Sequence, residues 1–168
     1  MTKSSDERLV KNAELAEKLS VLHEQKTVMI ASLNADNSPL ISYAPFVEKE
    51  GAFYIFISYL AEHTPNLIER PQASVMLTAD ESTTANLFVR GRVRYEVECT
   101  VIERDNTLFD EVLVDLEQRQ GKMVSLLRTL GDFYLIRLQP TVGSLVVGAG
   151  AAYRFKPGQM VFEQVSGR

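Results

Sequence analysis

Apolar residues in this chain recur with two different periods, and the change from one to the other marks out its elements. Four runs between residues 26 and 79 read as strands: 26–33 (KTVMIASL), 40–48 (LISYAPFVE), 52–58 (AFYIFIS) and 73–79. Turn formers separate the first three, at residues 34–39 and at Lys49-Glu50-Gly51. Connections this short predict a meander of antiparallel hairpins, since parallel strands need long crossovers. The first and third runs are apolar on both faces, which predicts strands covered on two sides. In the second, Ser42 and Ala44 alternate with Tyr43 and Pro45. A proline has no N–H to give a ladder, which predicts an edge or a bulge.

Helical spacing appears on either side of these runs. Residues 5–25 carry Leu15, Leu19 and Leu22 on one face behind a Ser4/Glu7 capping box, with His23 near the C-terminal end in a structural or surface role. After the third strand, Thr64 is placed as N-cap and Pro65 at the first helical position, with Pro71 closing the helix. The free amides of such a start suit an anion; alternatively Thr64 only caps and His63 is solvated. Asn106 is the predicted N-cap of a helix to Gln120 with Leu108, Phe109, Val112, Leu113 and Leu116 on its packing side, and Met123, Leu127 and Leu130 make a second, closed by Gly131.

The longest predicted strand covers 87–101. Val89, Gly91, Val93, Tyr95, Val97 and Cys99 share one face, and Phe88, Arg90, Arg92, Arg94, Glu96 and Glu98 the other. Three arginines therefore project together. They take either acidic neighbours such as Glu96 and Glu98, or an acidic ligand held by guanidinium forks. Strands at 132–139 and 142–147 follow. The second runs into Gly148-Ala149-Gly150, where small side chains imply close approach of another backbone or of a flat ligand. No helix pattern follows, so this is not a dinucleotide fingerprint.

Composition narrows the function. A chain of 168 residues suits one domain that buries about 70% of its unfolded surface. The net charge of −4 argues against nucleic acid as a partner. No leader pattern opens the sequence and no run approaches the ~20 apolar residues of a membrane span. A lone cysteine, Cys99, reads as a small buried side chain in a reducing compartment, so the expected location is cytoplasmic. Two histidines and one cysteine point to no metal site built of protein ligands alone, and no nucleophile elbow is present. Any enzyme activity would rest on a cofactor.

Taken in order, these residues resemble the pyridoxamine 5'-phosphate oxidase-like split barrels, and within them the heme-utilisation proteins of the HugZ/HutZ type. The resemblance runs from about Leu22 to Tyr153. It is carried by Ser42-Tyr43-Ala44-Pro45-Phe46, by Ile57-Ser58 through His63 and Asn66-Leu67, and by the Arg90 to Arg94 strand. Gly131-Asp132-Phe133, Arg137-Leu138-Gln139-Pro140 and the glycine turn into Tyr153 complete it.

The resemblance implies a mainly β fold with flanking helices (α+β), an antiparallel split β-barrel forming a homodimer. The chain would be one domain over 1–168, with an N-terminal helix at 1–25 and a barrel at 26–155 carrying a helical insertion at 104–130. It also implies a small-molecule cofactor, heme or FMN, in clefts between subunits, contacted by Ser42, Tyr43, Ser58, His63, Thr64, Asn66, Arg90 and Arg92. Asp132 matches an aspartate that tunes the heme ligand in the family, and is the catalytic candidate. Flavin-binding members hold the FMN phosphate with arginine, lysine and serine after the third strand, where this chain has Ala61-Glu62-His63. Heme-utilisation members use a histidine close to the C-terminus and degrade heme oxidatively with reductant; residues 148–168 contain none. The leading expectation is heme binding with oxidative degradation. An FMN-dependent oxidoreductase and a non-catalytic or stress-related dimer are the alternatives.

Overall fold

The computed structural model describes residues 2–159 and 161–165, the side chains from residue 5 onward. In chain order the elements are α1 (Thr2–His23), β1 (Thr27–Leu33), β2 (Pro39–Lys49), β3 (Ala52–Ser58), α2 (His63–Glu69), β4 (Gln72–Thr78), β5 (Arg92–Ile102), α3 (Thr107–Gln120), α4 (Met123–Arg128), β6 (Phe133–Gly148), β7 (Ala151–Phe155) and β8 (Phe162–Gln164). The strands are ordered β3-β2-β1-β4-β5-β6-β7-β8, and β3 also pairs with β6. That pairing closes six strands into the expected antiparallel barrel, and β7 and β8 extend it beyond β6.

The chain divides into two compact units. One comprises Lys26–Val75 and Glu96–Pro140, the other Met1–Gln25, Met76–Tyr95 and Thr141–Arg168. In the first, the ladder Phe53↔Leu138 through Ser58↔Phe133 joins β3 to β6. Positions 52–57 of β3 are all buried, as its two-sided apolar pattern predicts. On one side Ala52, Tyr54 and Phe56 meet Phe109, Val112, Leu113 and Leu116 of α3. Asn106 caps α3 as expected, its Oδ1 accepting from the Leu108 amide at 3.0 Å, a contact contributing about 1 kcal/mol.

β1 departs from the sequence pattern. Val28, Ile30 and Ser32 are buried while Ala31 and Leu33 are exposed, so one face of this strand, not both, is covered within the chain. β2 is not an edge strand either. Its residues Pro39 to Pro45 pair with β1, and Phe46 to Lys49 with β3. Pro45 stands where the strand exchanges one neighbour for the other, so its missing N–H breaks no ladder. Next to it the side chain of Gln120 donates to the carbonyls of Phe46 (2.9 Å) and Lys26 (2.8 Å).

In the second unit, His23 ends α1 and its Nε2 is 2.7 Å from the Tyr95 hydroxyl, the structural role expected of it. The first helix begins earlier than predicted, so Ser4 lies within it; the Ser4 side chain is outside the described residues. β5 starts only at Arg92. Leu87–Val89 is a single 3₁₀ turn capped by Asn86, which takes Phe88, Val89 and Arg90 out of the predicted strand. Further along, 132–139 and 142–147 merge into one strand, β6, the longest described.

No backbone closely approaches the Gly148–Gly150 segment within the chain: a Cβ on Gly148 would meet only that of Ala151, at 3.8 Å. Nothing lies within 4 Å of a Cβ built on Gly150, whose φ of +64° makes it the left-handed residue of the β6–β7 turn. The close approach lies elsewhere: a Cβ on Gly143 would fall 2.3–2.7 Å from the ring of Phe155, its cross-strand partner. Gly143→Ala is therefore expected to destabilise the fold by ~1–3 kcal/mol. Gly143→Ala/Phe155→Leu should recover part of that loss in chemical denaturation, as shown by a double-mutant cycle.

Candidate functional site

The ladder between β3 and β6 sets the site's geometry. Because Ser58 pairs with Phe133, the residue preceding Phe133 is brought beside the end of β3. There Ser58 Oγ donates to Asp132 Oδ2 at 2.6 Å, and the Tyr59 amide donates to the Asp132 carbonyl at 2.7 Å. Ser58 also accepts the Leu60 amide on its Oγ (3.1 Å), and its carbonyl takes the Thr64 hydroxyl (2.6 Å). The rings of Tyr59 and Tyr134 lie 5.7 Å apart beside this knot.

α2 buries an unusual set of groups for a helix of seven residues: His63, Thr64 and Asn66 along with Leu67. Buried polar groups need partners, and each has one. His63 Nδ1 lies 2.8 Å from Ser42 Oγ on β2. Asn66 donates to Asn34 Oδ1 at 2.8 Å and faces Ser32 Oγ at 3.4 Å, and its own Oδ1 accepts from Arg70 at 3.3 Å. Thr64 is not the N-cap: the helix already includes His63, Glu62 occupies the cap without a side-chain bond, and the Thr64 amide bonds the Ala61 carbonyl. The threonine is drawn inward because its hydroxyl satisfies the Ser58 carbonyl. His63 is likewise not solvated; burial holds its pKa below the ordinary histidine value, leaving a neutral imidazole.

Of the residues singled out from the sequence, the structure thus brings together Ser58, Thr64 and Asp132 in one knot and Ser42 with His63 in another, both on the segment around α2. Tyr43 is separated from Ser42 by strand alternation: it is 67% exposed and lies opposite Met29. Arg90 and Arg92 belong to the other unit. Arg90 is bound to Glu81 (2.8 Å) and to the Ala79 carbonyl (2.6 Å), so it is engaged within its own loop. Arg92 bonds the Arg90 carbonyl at 3.1 Å through one N–H. Arg104 escaped sequence reading. Its three hydrogen bonds reach carbonyls 24–29 residues away, a separation that leaves no local signal.

The comparisons with known proteins decide the family. The pyridoxamine 5'-phosphate oxidase family model matches residues 15–146. This chain belongs to that family. It is 37% identical over 138 residues to the heme oxygenase HutZ of Vibrio cholerae, covering 82% of this chain and 78% of that protein. The crystal structure of Campylobacter jejuni ChuZ superposes with a TM-score of 0.82 at 30% identity over 91% of this chain, which spans 63% of the ChuZ chain. HutZ from Vibrio cholerae, described as a heme storage protein, gives 0.73 at 35% identity over 80% of this chain and 94% of that one.

Within this family frame the residues fit the two cofactors unequally. An FMN phosphate calls for cations after the third strand. Here that junction offers the carboxylate of Glu62, a neutral His63 and a Thr64 amide already bonded. A heme calls for apolar surface and for donors to its propionates. The outer face of β1 and β2 supplies Met29, Ile41 and Tyr43, while the C-terminal histidine used by heme-utilisation members has no counterpart in residues 148–168. Among the described residues no helix is long and apolar enough to cross a membrane.

The buried imidazole has a pH consequence. Its folded-state pKa is lowered, so below about pH 6.5 the unfolded chain takes up a proton that the folded one resists. Stability from this group is complete above that value and is lost as pH falls. Thermal melts at falling pH are expected to show this loss in the natural protein, and a shallower pH dependence in His63→Gln.

Proposed function

We propose that this protein binds heme and takes part in its oxidative degradation. The identity to Vibrio cholerae HutZ across most of both chains carries this reading. Bound heme would supply the iron chemistry that activates oxygen in the presence of a reductant. The chain's own part is to hold and orient the group: Met29, Ile41 and Tyr43 offer apolar contact, and His63 a neutral imidazole fixed at Nδ1 by Ser42. Asp132, Ser58, Thr64 and Asn66 support that wall. Arg90, already paired, keeps the loop in shape.

The working form is a homodimer with the cofactor between subunits. What supports this is the outer face of the β1–β2 hairpin, where Ile41 (74% exposed), Tyr43 (67%) and Leu33 (42%) stand uncovered in the single chain. An apolar face of this kind marks an interaction surface. We place the protein in the cytoplasm, where the buried Cys99 thiol, pushed up to about 12 by desolvation, stays unreactive. The acidic net charge favours no nucleic-acid partner.

Family membership favours a second reading, an FMN-dependent oxidoreductase, which the Glu62 junction opposes. Titration separates the two. Hemin is expected to produce a Soret band that saturates at one heme per chain, while FMN fluorescence stays unquenched; saturable FMN uptake without a Soret change would overturn the heme reading. For the assembly, sedimentation is expected to give a dimer that Ile41→Glu converts to monomer with unchanged secondary structure by circular dichroism.

A further inference from the structure

Arg104 lies two residues beyond the end of β5 and is exposed, yet both terminal nitrogens of its head group are bonded. The guanidinium carbon sits 5.3 Å from the ring centroid of Phe109, itself buried in the α3 packing. Nη1 donates to the Arg128 carbonyl at 3.2 Å; Nη2 donates to those of Leu130 at 2.8 Å and Phe133 at 3.0 Å. These three carbonyls bracket Asp132. Within the turn between α4 and β6, the Thr129 and Leu130 amides and the Thr129 hydroxyl close back onto α4, and Gly131 is in open space. Asp132 is met from the β3 side by Ser58 and Tyr59; Arg104 holds the turn from the other end.

We propose that Arg104 is the positioning residue of the candidate site: by clamping the turn from Arg128 to Phe133 it sets the direction of the Asp132 carboxylate. A planar guanidinium presents several N–H groups in fixed directions and stacks on an aromatic face, so one residue satisfies three divergent carbonyls. The guanidinium lies over the ring of Phe109, a core residue of the α3 packing. With the fork in place, Asp132 Oδ2 meets Ser58 Oγ and the Asp132 carbonyl meets the Tyr59 amide. A lysine keeps the charge but not the fork. This inference rests on the heme reading for what Asp132 does, and its geometry is tested separately.

The test uses full-length Arg104→Ala and Arg104→Lys. The control is Arg128→Ala, which breaks the Arg128–Asp110 pair of the same helix hairpin and leaves the clamped carbonyls. In heme-free protein, hydrogen exchange at the Tyr59 amide should accelerate by ~10-fold in both Arg104 variants and stay at the natural rate in the control. In hemin-loaded protein the Soret maximum and its pH midpoint should shift in Arg104→Lys and not in the control. Unchanged Tyr59 exchange in the folded lysine variant, or equal acceleration in Arg128→Ala, overturns the clamp. Accelerated exchange with a natural hemin spectrum and pH midpoint overturns its role in the site. If the natural protein takes up no hemin while exchange responds as stated, the heme reading falls and the hold of Arg104 on Asp132 stands.

Discussion

The ladder joining β3 to β6 is the constraint on which the rest of the structure depends. It pairs residues about eighty positions apart in sequence, so forming it closes a long loop whose entropy must be met by burial. β3 meets that demand by burying both faces, with α3 on one side and barrel residues such as Ile136 and Leu138 aligned with the other. Its register then does chemical work. A shift by one residue would turn every β3 side chain to the opposite face and would part Ser58 from Asp132.

From the end of that ladder the site grows as a chain of satisfied polar groups. Ser58 holds Asp132 and Thr64, Thr64 anchors the first turn of α2, and α2 carries His63 to Ser42 and Asn66 to Asn34. Each such bond contributes on the order of 1 kcal/mol net, while leaving one partner buried and unmatched costs ~1–3 kcal/mol. The network is therefore more specific than it is stabilising. It admits few arrangements of α2 against β1 and β2, and it keeps a neutral imidazole at a defined place.

The β1–β2 hairpin shows the opposite economy. Its inner positions are filled, whereas its outer face leaves Ile41 and Tyr43 in water at a cost that a single chain has no means to recover. The two-sided apolar pattern of the first strand is therefore not matched by two-sided burial within the chain: Val28, Ile30 and Ser32 are covered, and Ala31 and Leu33 are not.

Much of the architecture is local enough to be legible in the sequence. Alternation, short turns and the Asn106 cap dictate the hairpins and the helical hairpin of α3 and α4, because each depends on residues within a few positions of one another; the closure of the barrel through β3 and β6 does not. The site was legible only in part: Ser58, Asp132, Ser42, His63, Thr64 and Asn66 could be named, but not who would meet whom. Thr64 looks like a cap until the Ser58 carbonyl claims its hydroxyl; the arginine stripe looks free until Arg90 finds Glu81; and Arg104, among the most fully engaged arginines of the site's surroundings, carries no mark at all. Hydrogen bonds spanning 74 residues, like that of Ser58 to Asp132, come into being only when the barrel closes, and only the tertiary structure decides them.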